Sequence, residues 1–334
     1  MSVSVGIGLT NNCNLNCAHC YRDPDALACL SLEEIKLICE RLHPTSFNLG
    51  TGENYLHPDF TEIVTYLADG GYKLSMASNG HSFTAMPEAL LRRFHDVEVS
   101  IDFATAEAQD AFRTRGNWDL VMAAIARCQK LGLEVTILAT LMAINYDQMD
   151  GLAQLAGRLG TNLRVNAYQP VQTSNFTPDY EQFWEGYRRL LSSARLVSTS
   201  EPIVNAVLGL DDLGGSPCGR QSIRFTPHGD ITPCVYWPHR DLTLSDLPHL
   251  DEAQILASEQ FQRSLIVPAA CGDCPHVHSC GGGCASRRAL LGDLDQPDPY
   301  CPLVRGEEIQ LDFTPAPARD LPRGRNVCTT IVVP

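Results

Sequence analysis

Up to about residue 170 the chain alternates between short β-type runs and amphipathic helical stretches, and few architectures accept that alternation. Six runs read as strands: VSVGIGL (3–9), TSFNLG (45–50), YKLSMAS (72–78), VEVSID (97–102), LEVTILATL (133–141) and LRVNAYQ (163–169). The segments between them read as helices. LEEIKLICERL follows Ser31, with Ser31 and Glu34 at capping-box spacing. TEIVTYLADGG and WDLVMAAIARCQKLG close on glycine, as helices often do. Strands joined through helices run parallel, so the series predicts a parallel α/β sheet, either open or wound into part of a barrel. Such folds carry their chemistry on loops at the C-terminal ends of the strands. The loop after the first run holds Cys13, Cys17 and Cys20.

The rest of the chain has a different texture. Residues 171–212 read as a connecting region with a helix around EQFWEGYRRLLSSAR. From Cys218 on, Gly, Pro and Cys increase and long periodic runs stop, so this part buries little apolar surface and needs metal staples. After Cys301 a last helix is expected over VRGEEIQLDF, then the Pro-rich TPAPARDLP and the tail RNVCTTIVVP. The expected division is 1–170, 171–212, 213–305 and 306–334.

The chain has fourteen cysteines among 334 residues, and their meaning depends on the compartment. The N-terminus MSVSVGIGL lacks the basic flank and cleavage site of a secretory signal, and no apolar run reaches membrane-spanning length. A cytoplasmic protein with no membrane partner is expected, where disulfides seldom persist and clustered cysteines bind metal. The formal charge of −14 argues against a phosphate-binding surface, and so against nucleic acid as a partner. Cys39 and Cys128 fall on apolar faces of expected helices and read as core residues; Cys29 has no functional case.

Cys13, Cys17 and Cys20 stand in a Cys-x3-Cys-x2-Cys spacing. Three thiolates leave one iron of a cubane without a protein ligand, open to a small chelating molecule. Zinc with a distant fourth ligand such as His19 is the blander alternative. The spacing, directly after a first strand, resembles the radical S-adenosylmethionine (SAM) superfamily. Further motifs at strand ends extend the resemblance over the first 170 residues. In NLGTGENYLHP, Gly50, Gly52 and Glu53 stand where the family has its Gly-Gly-Glu-Pro signature, with Thr51 and Asn54 departing from it. Ser78, Asn79 and Gly80 resemble the family's Thr-Asn-Gly segment, and Ser100 and Asp102 in VSID its fourth-strand motif. The resemblance implies a partial (β/α)6 TIM-like barrel, a [4Fe–4S] cluster on Cys13, Cys17 and Cys20, and SAM held by Gly50, Gly52, Glu53, Ser78, Asn79, Ser100 and Asp102. Taken singly, the polar residues also fit ordinary capping and turn chemistry.

The later cysteines run Cys218-x10-Gly229-x4-Cys234, then Cys271-x2-Cys274-x5-Cys280-x3-Cys284, then Cys301. Two zinc-ribbon sites would explain part of this. The seven-cysteine pattern resembles the SPASM domain, a small cysteine-rich Fe–S domain that adds two auxiliary clusters to many radical SAM enzymes. That resemblance implies a first auxiliary cluster on Cys218, Cys234 and Cys284, and a second on Cys271, Cys274, Cys280 and Cys301. Neither GLDDLGGSP before Cys218 nor the segment up to Pro233 supplies a further cysteine, so the first cluster has an open iron or an unusual ligand. Cys328, in the tail, is the tentative catalytic residue. It stands as a hydrogen-atom donor to a substrate radical, as the missing ligand, or as an incidental thiol.

The resemblance implies an enzyme that uses a 5′-deoxyadenosyl radical, formed from SAM, on an unactivated C–H bond. SPASM-bearing members often act on ribosomally made precursor peptides, making crosslinks, thioethers, backbone rearrangements or excisions. Alternatives are a tetrapyrrole or other small molecule in cofactor biosynthesis, peptide epimerisation, and a non-enzymatic zinc or redox scaffold. The expected partners are the precursor peptide, a flavodoxin or ferredoxin reductant, and a separate leader-recognition protein, since the chain starts directly at its first strand.

Overall fold

A computed structural model describes residues 3–210, 218–317 and 328–334. Most of GLDDLGGSP, and the end of the Pro-rich run with the residues before Cys328, lie outside the described residues. All six expected strands form: β1 (Ser4–Gly8), β2 (Ser46–Gly50), β3 (Lys73–Ser78), β4 (Asp96–Ser100), β5 (Glu134–Leu141) and β6 (Asn162–Ala167). They pair in sequence order, each parallel to the next. Six more strands follow: β7 (Arg195–Thr199), β8 (Ser222–Phe225), β9 (Asp230–Thr232), β10 (Leu242–Thr243), β11 (Thr314–Pro315) and β12 (Thr330–Val333). The sheet order is β10-β9-β8-β1-β2-β3-β4-β5-β6-β12-β7-β11. The architecture is the expected α/β partial barrel, extended at both edges by later segments of the chain.

The strands obey period two, and the two faces differ in kind. Phe47, Leu49, Val97, Val99, Leu163 and Val165 point toward the helices and join the apolar core. The residues between them, including Gly6, Asn48, Glu98, Thr140, Arg164 and Asn166, line a cavity on the opposite face. A barrel filled by branched apolar side chains is a packed core; this lumen stays open, with polar side chains such as Asn48, Glu98, Thr140, Arg164 and Asn166 among apolar ones. A β-carbon at Gly6 would lie 1.6 Å from Nη1 of Arg224, whose side chain crosses the strand, so any larger residue there would have to push that side chain aside.

The helix Leu32–Leu42 has the expected capping box on Ser31 and Glu34, worth about 1 kcal/mol. It buries Ile35, Ile38, Cys39 and Leu42. Cys128 is likewise buried, in the helix Asn117–Lys130. The helix expected over EQFWEGYRRLLSSAR spans Tyr180–Ser193. The helix expected over VRGEEIQLDF does not form. A single turn at Leu303–Arg305 ends on Gly306 at φ 70°, and the chain then runs without helix to β11. The reason is alternation: Ile309, Leu311 and Phe313 pack on the core while the residues between them are exposed. A period of two belongs to extended chain. Among the described residues no helix is long and apolar enough to cross a membrane.

Candidate active site

The site lies at the C-terminal ends of β1 to β5. Asn11, which follows β1, shapes the cysteine loop: its side chain accepts the Ala28 N–H at 2.7 Å and donates to the Asp23 and Ala26 carbonyls. Buried Arg22 donates to the carbonyls of Asn11 and Leu15, closing the loop from beneath. The half-buried Cys13, Cys17 and Cys20 thereby rim a cavity of about 230 Å³. The Leu15 N–H points to Cys13 Sγ at 3.4 Å, and Asn79 Nδ2 lies 3.6 Å from the same sulfur. Burial pushes the Cys13 and Cys17 thiols above the ordinary range.

The loop after β2 is tied to this one, since the Glu53 N–H donates to the Asn12 carbonyl at 2.8 Å. Gly52 has φ +63°, and a β-carbon there would lie 2.5 Å from the carbonyl oxygens of Thr10 and Asn12. Only glycine combines that conformation with that approach. Thr51 also has a left-handed φ of 66°, held by a 2.8 Å hydrogen bond between its hydroxyl and that of Tyr21. The Glu53 carboxylate is 0% exposed and acts as the hub of the pocket wall. It accepts from the Ser78 hydroxyl, the Asn79 and Ser82 N–H groups and the Ser82 hydroxyl. Gly50, Gly52, Glu53, Ser78, Asn79 and Ser100 all line the cavity.

Asp102 is placed differently. It is fully buried behind the wall, where it accepts two hydrogen bonds from Arg113, at 2.9 and 2.7 Å, and the Thr140 N–H at 3.0 Å. Burial opposes its charge, but Arg113, His19 and the Thr140 N–H together hold the carboxyl below its ordinary range. Arg113, not Asp102, faces the cavity, and the sequence motifs did not single it out. The sequence offers only position as a signal, the first of two arginines in FRTRG, eleven residues after the fourth-strand carboxylate. His19 packs against Phe112 with its ring tilted by 35° and turns Nε2 toward Asp102 at 3.7 Å.

The later cysteines sort into two groups. Cys271, Cys274, Cys280 and Cys301 are electrostatic neighbours of one another. Cys234 lies within hydrogen-bonding reach of Cys218 and close to Cys284. Gln169, on the cavity wall, places Nε2 3.9 Å from Cys284 Sγ, and Val235 and Tyr236, just after Cys234, line the same cavity. The second sulfur group therefore borders the active site. Among the described residues no three His, Cys, Asp or Glu side chains are grouped to hold a single metal ion. Thiol-only donor sets suit clusters, which take one thiolate at each iron.

A parallel partial barrel with an open lumen and three thiols at its mouth defines a class of enzyme that works inside the barrel on a loop-bound cofactor. The chain belongs to the radical SAM superfamily, whose model matches residues 7–156. Membership brings SAM and a [4Fe–4S] cluster, and the thiols of Cys13, Cys17 and Cys20 fit that donor set. Mycofactocin maturase MftC of Mycobacterium tuberculosis (strain CDC 1551 / Oshkosh) is 30% identical over 96% of this chain and 88% of its own. The antilisterial bacteriocin subtilosin biosynthesis protein AlbA of Bacillus subtilis (strain 168) is 25% identical over 82% of this chain and 65% of its own. Among solved structures, native anSMEcpe with bound AdoMet and Kp18Cys peptide has a TM-score of 0.71 at 16% identity, covering 92% of this chain and 95% of that one.

Proposed function

We propose that this radical SAM enzyme modifies a ribosomally made precursor peptide, by crosslinking, thioether formation, or rearrangement or excision of backbone. The observation that carries the reading is the 30% identity to a maturase over nearly the whole length of both chains. The polar side chains on the lumen wall support it, since peptide groups need hydrogen-bonding partners.

In this reading Cys13, Cys17 and Cys20 would hold the cluster, beside the cavity that would take SAM. Cluster and SAM together supply, when bound, a radical able to abstract hydrogen from an unactivated C–H bond. The chain's own groups place and shield that chemistry. Gly50 and Gly52 let the backbone approach the cofactor, while Glu53 orients the Ser78 and Asn79 segment against it. Arg113, clamped by Asp102, presents a fixed cation to the carboxylate of SAM. Asn166, Tyr168 and Gln169 face the space left for substrate. Cys218, Cys234 and Cys284, and Cys271, Cys274, Cys280 and Cys301, would hold two auxiliary Fe–S clusters, which would supply an acceptor for the electron of a net oxidation. A flavodoxin or ferredoxin reductant, a leader-recognition protein and a cytoplasmic setting complete the proposal.

The test is coexpression with each short peptide found encoded near the gene, followed by mass spectrometry. A defined mass change is expected, lost in Cys17→Ala together with 5′-deoxyadenosine formation from SAM and dithionite. SAM cleavage that leaves every neighbouring peptide unchanged while a tetrapyrrole is turned over would overturn the reading.

A further inference from the structure

Cys328 reaches its place by a long route. β12 inserts between β6 and β7 and pairs antiparallel with both. The residue just before it is pinned as firmly: the Ser200 N–H donates to the Thr329 carbonyl at 2.7 Å, and the Thr329 hydroxyl donates to the Val165 carbonyl at 3.2 Å. Arg164 Nε, from the barrel lumen, donates to the same hydroxyl at 3.1 Å. Cys328 therefore stands directly before a locked segment. Its side chain packs against the buried cluster of Cys218, Cys234, Trp237 and Ala285. Its sulfur lies within hydrogen-bonding reach of both Cys218 and Cys284. These are the sulfurs to which the proposed function assigns the first auxiliary cluster, a set of three that wants a fourth.

We infer that Cys328 is the fourth thiolate of the first auxiliary cluster, delivered from the C-terminal strand, so that this cluster has no iron open to substrate. Ligation releases the thiol proton to solvent and forms one Fe–S bond, with no change in the electron count of the cluster. The inference rests on the auxiliary-cluster part of the proposed function. A hydrogen-donor role would need the thiol to face the substrate space, yet Cys328 is absent from the cavity wall. A fully ligated cluster suits electron transfer; an open one would suit substrate binding.

The experiment uses the full-length chain, reconstituted anaerobically, with Cys13, Cys17 and Cys20 all changed to Ala so that only auxiliary clusters report. This parent is expected to bind about eight irons and to give a reduced EPR spectrum indifferent to cyanide. In the same background, Cys328→Ala is expected to make the spectrum cyanide-sensitive, and on mild oxidation to lose about one iron in eight. Cys328→Ser keeps an oxygen ligand and is expected to retain its iron with shifted g values, which guards against a folding defect in the alanine variant. Iron content, spectrum and cyanide response unchanged in both variants would overturn the inference alone. So would a parent spectrum that already responds to cyanide. A parent without iron would sink the underlying reading along with it.

Discussion

Arg113 and Asp102 show how a residue can serve the site without touching it. Asp102 is 0% exposed, and its Oδ2 takes both Nε and Nη2 of Arg113. Removing one member of such a pair leaves the other charge buried and uncompensated, which costs about 3–5 kcal/mol. Arg113→Gln is therefore expected to lower thermal stability sharply as well as SAM affinity. The double variant Arg113→Gln/Asp102→Asn separates the two effects. The new side-chain amide at position 102 would still accept the Thr140 N–H through its oxygen, and no net charge would remain inside, so most of the stability is expected to return. Affinity for SAM is not, because the lost charge-assisted contact is worth about 1.5–3 kcal/mol, or roughly tenfold or more in binding. Thermal melts and equilibrium dialysis on the reconstituted variants check both halves. Recovery of SAM binding in the double variant would remove Arg113 from the pocket.

At the scale of the element, β4 concentrates buried charge. Asp96 and Glu98 point the same way on alternate positions, and Arg164 of β6 pairs with Glu98. Burial first, then the neighbouring Glu98, raises Asp96 from its ordinary 3.8 to about 7, against the pull of Arg164. Between those two values the folded chain holds more protons than the unfolded one, so this group's contribution to stability falls as pH rises across the window. Asp96→Asn stays neutral throughout. It is expected to melt higher than the parent at pH 8, and by clearly less at pH 5, where only the lower part of the window has been crossed; an equal gain at both would rule out titration as its cause. The alternation that places these carboxylates is also what made β1 to β6 legible, because small or polar residues on one face and apolar residues on the other repeat with period two. The same rule, applied to Ile309, Leu311 and Phe313, would have excluded the helix expected after Cys301. β7 and β12 are harder to read. RLVST and TIVV become strands by pairing with each other across more than a hundred residues of sequence. For the same reason the cysteine spacings announced ten ligands, whereas the place of Cys328 beside Cys218 and Cys284 depends on the fold.

At the scale of the molecule, the cysteine-rich part is not simply appended to the barrel. β8 pairs parallel with β1, while β12 closes the other side against β6. Between these two attachments a buried cation adds a further link between the segment and the core. Arg287, 1% exposed, donates to Glu201 at 2.6 Å and to Asp298 at 2.8 Å, and its guanidinium lies 4.8 Å from the Tyr300 ring centre. Asp298 in turn accepts the Cys284 N–H at 2.8 Å and stands three residues before Cys301. One guanidinium thus positions a residue of each auxiliary sulfur group relative to the barrel. Arg287→Met fills much of the same volume but leaves two buried carboxylates facing each other, a change on the order of 3–5 kcal/mol. Its consequence should be uneven. The Cys13, Cys17 and Cys20 loop makes its own bonds through Asn11 and Arg22 and does not depend on Arg287. On the proposed assignment of three clusters, iron in Arg287→Met is therefore expected to fall from about twelve toward about four per chain, with SAM cleavage by dithionite retained and peptide modification lost. If SAM cleavage and auxiliary iron disappear in parallel, the two halves fold as one cooperative unit. If neither changes, the Glu201–Arg287–Asp298 bridge plays no part in holding the auxiliary sulfurs in place.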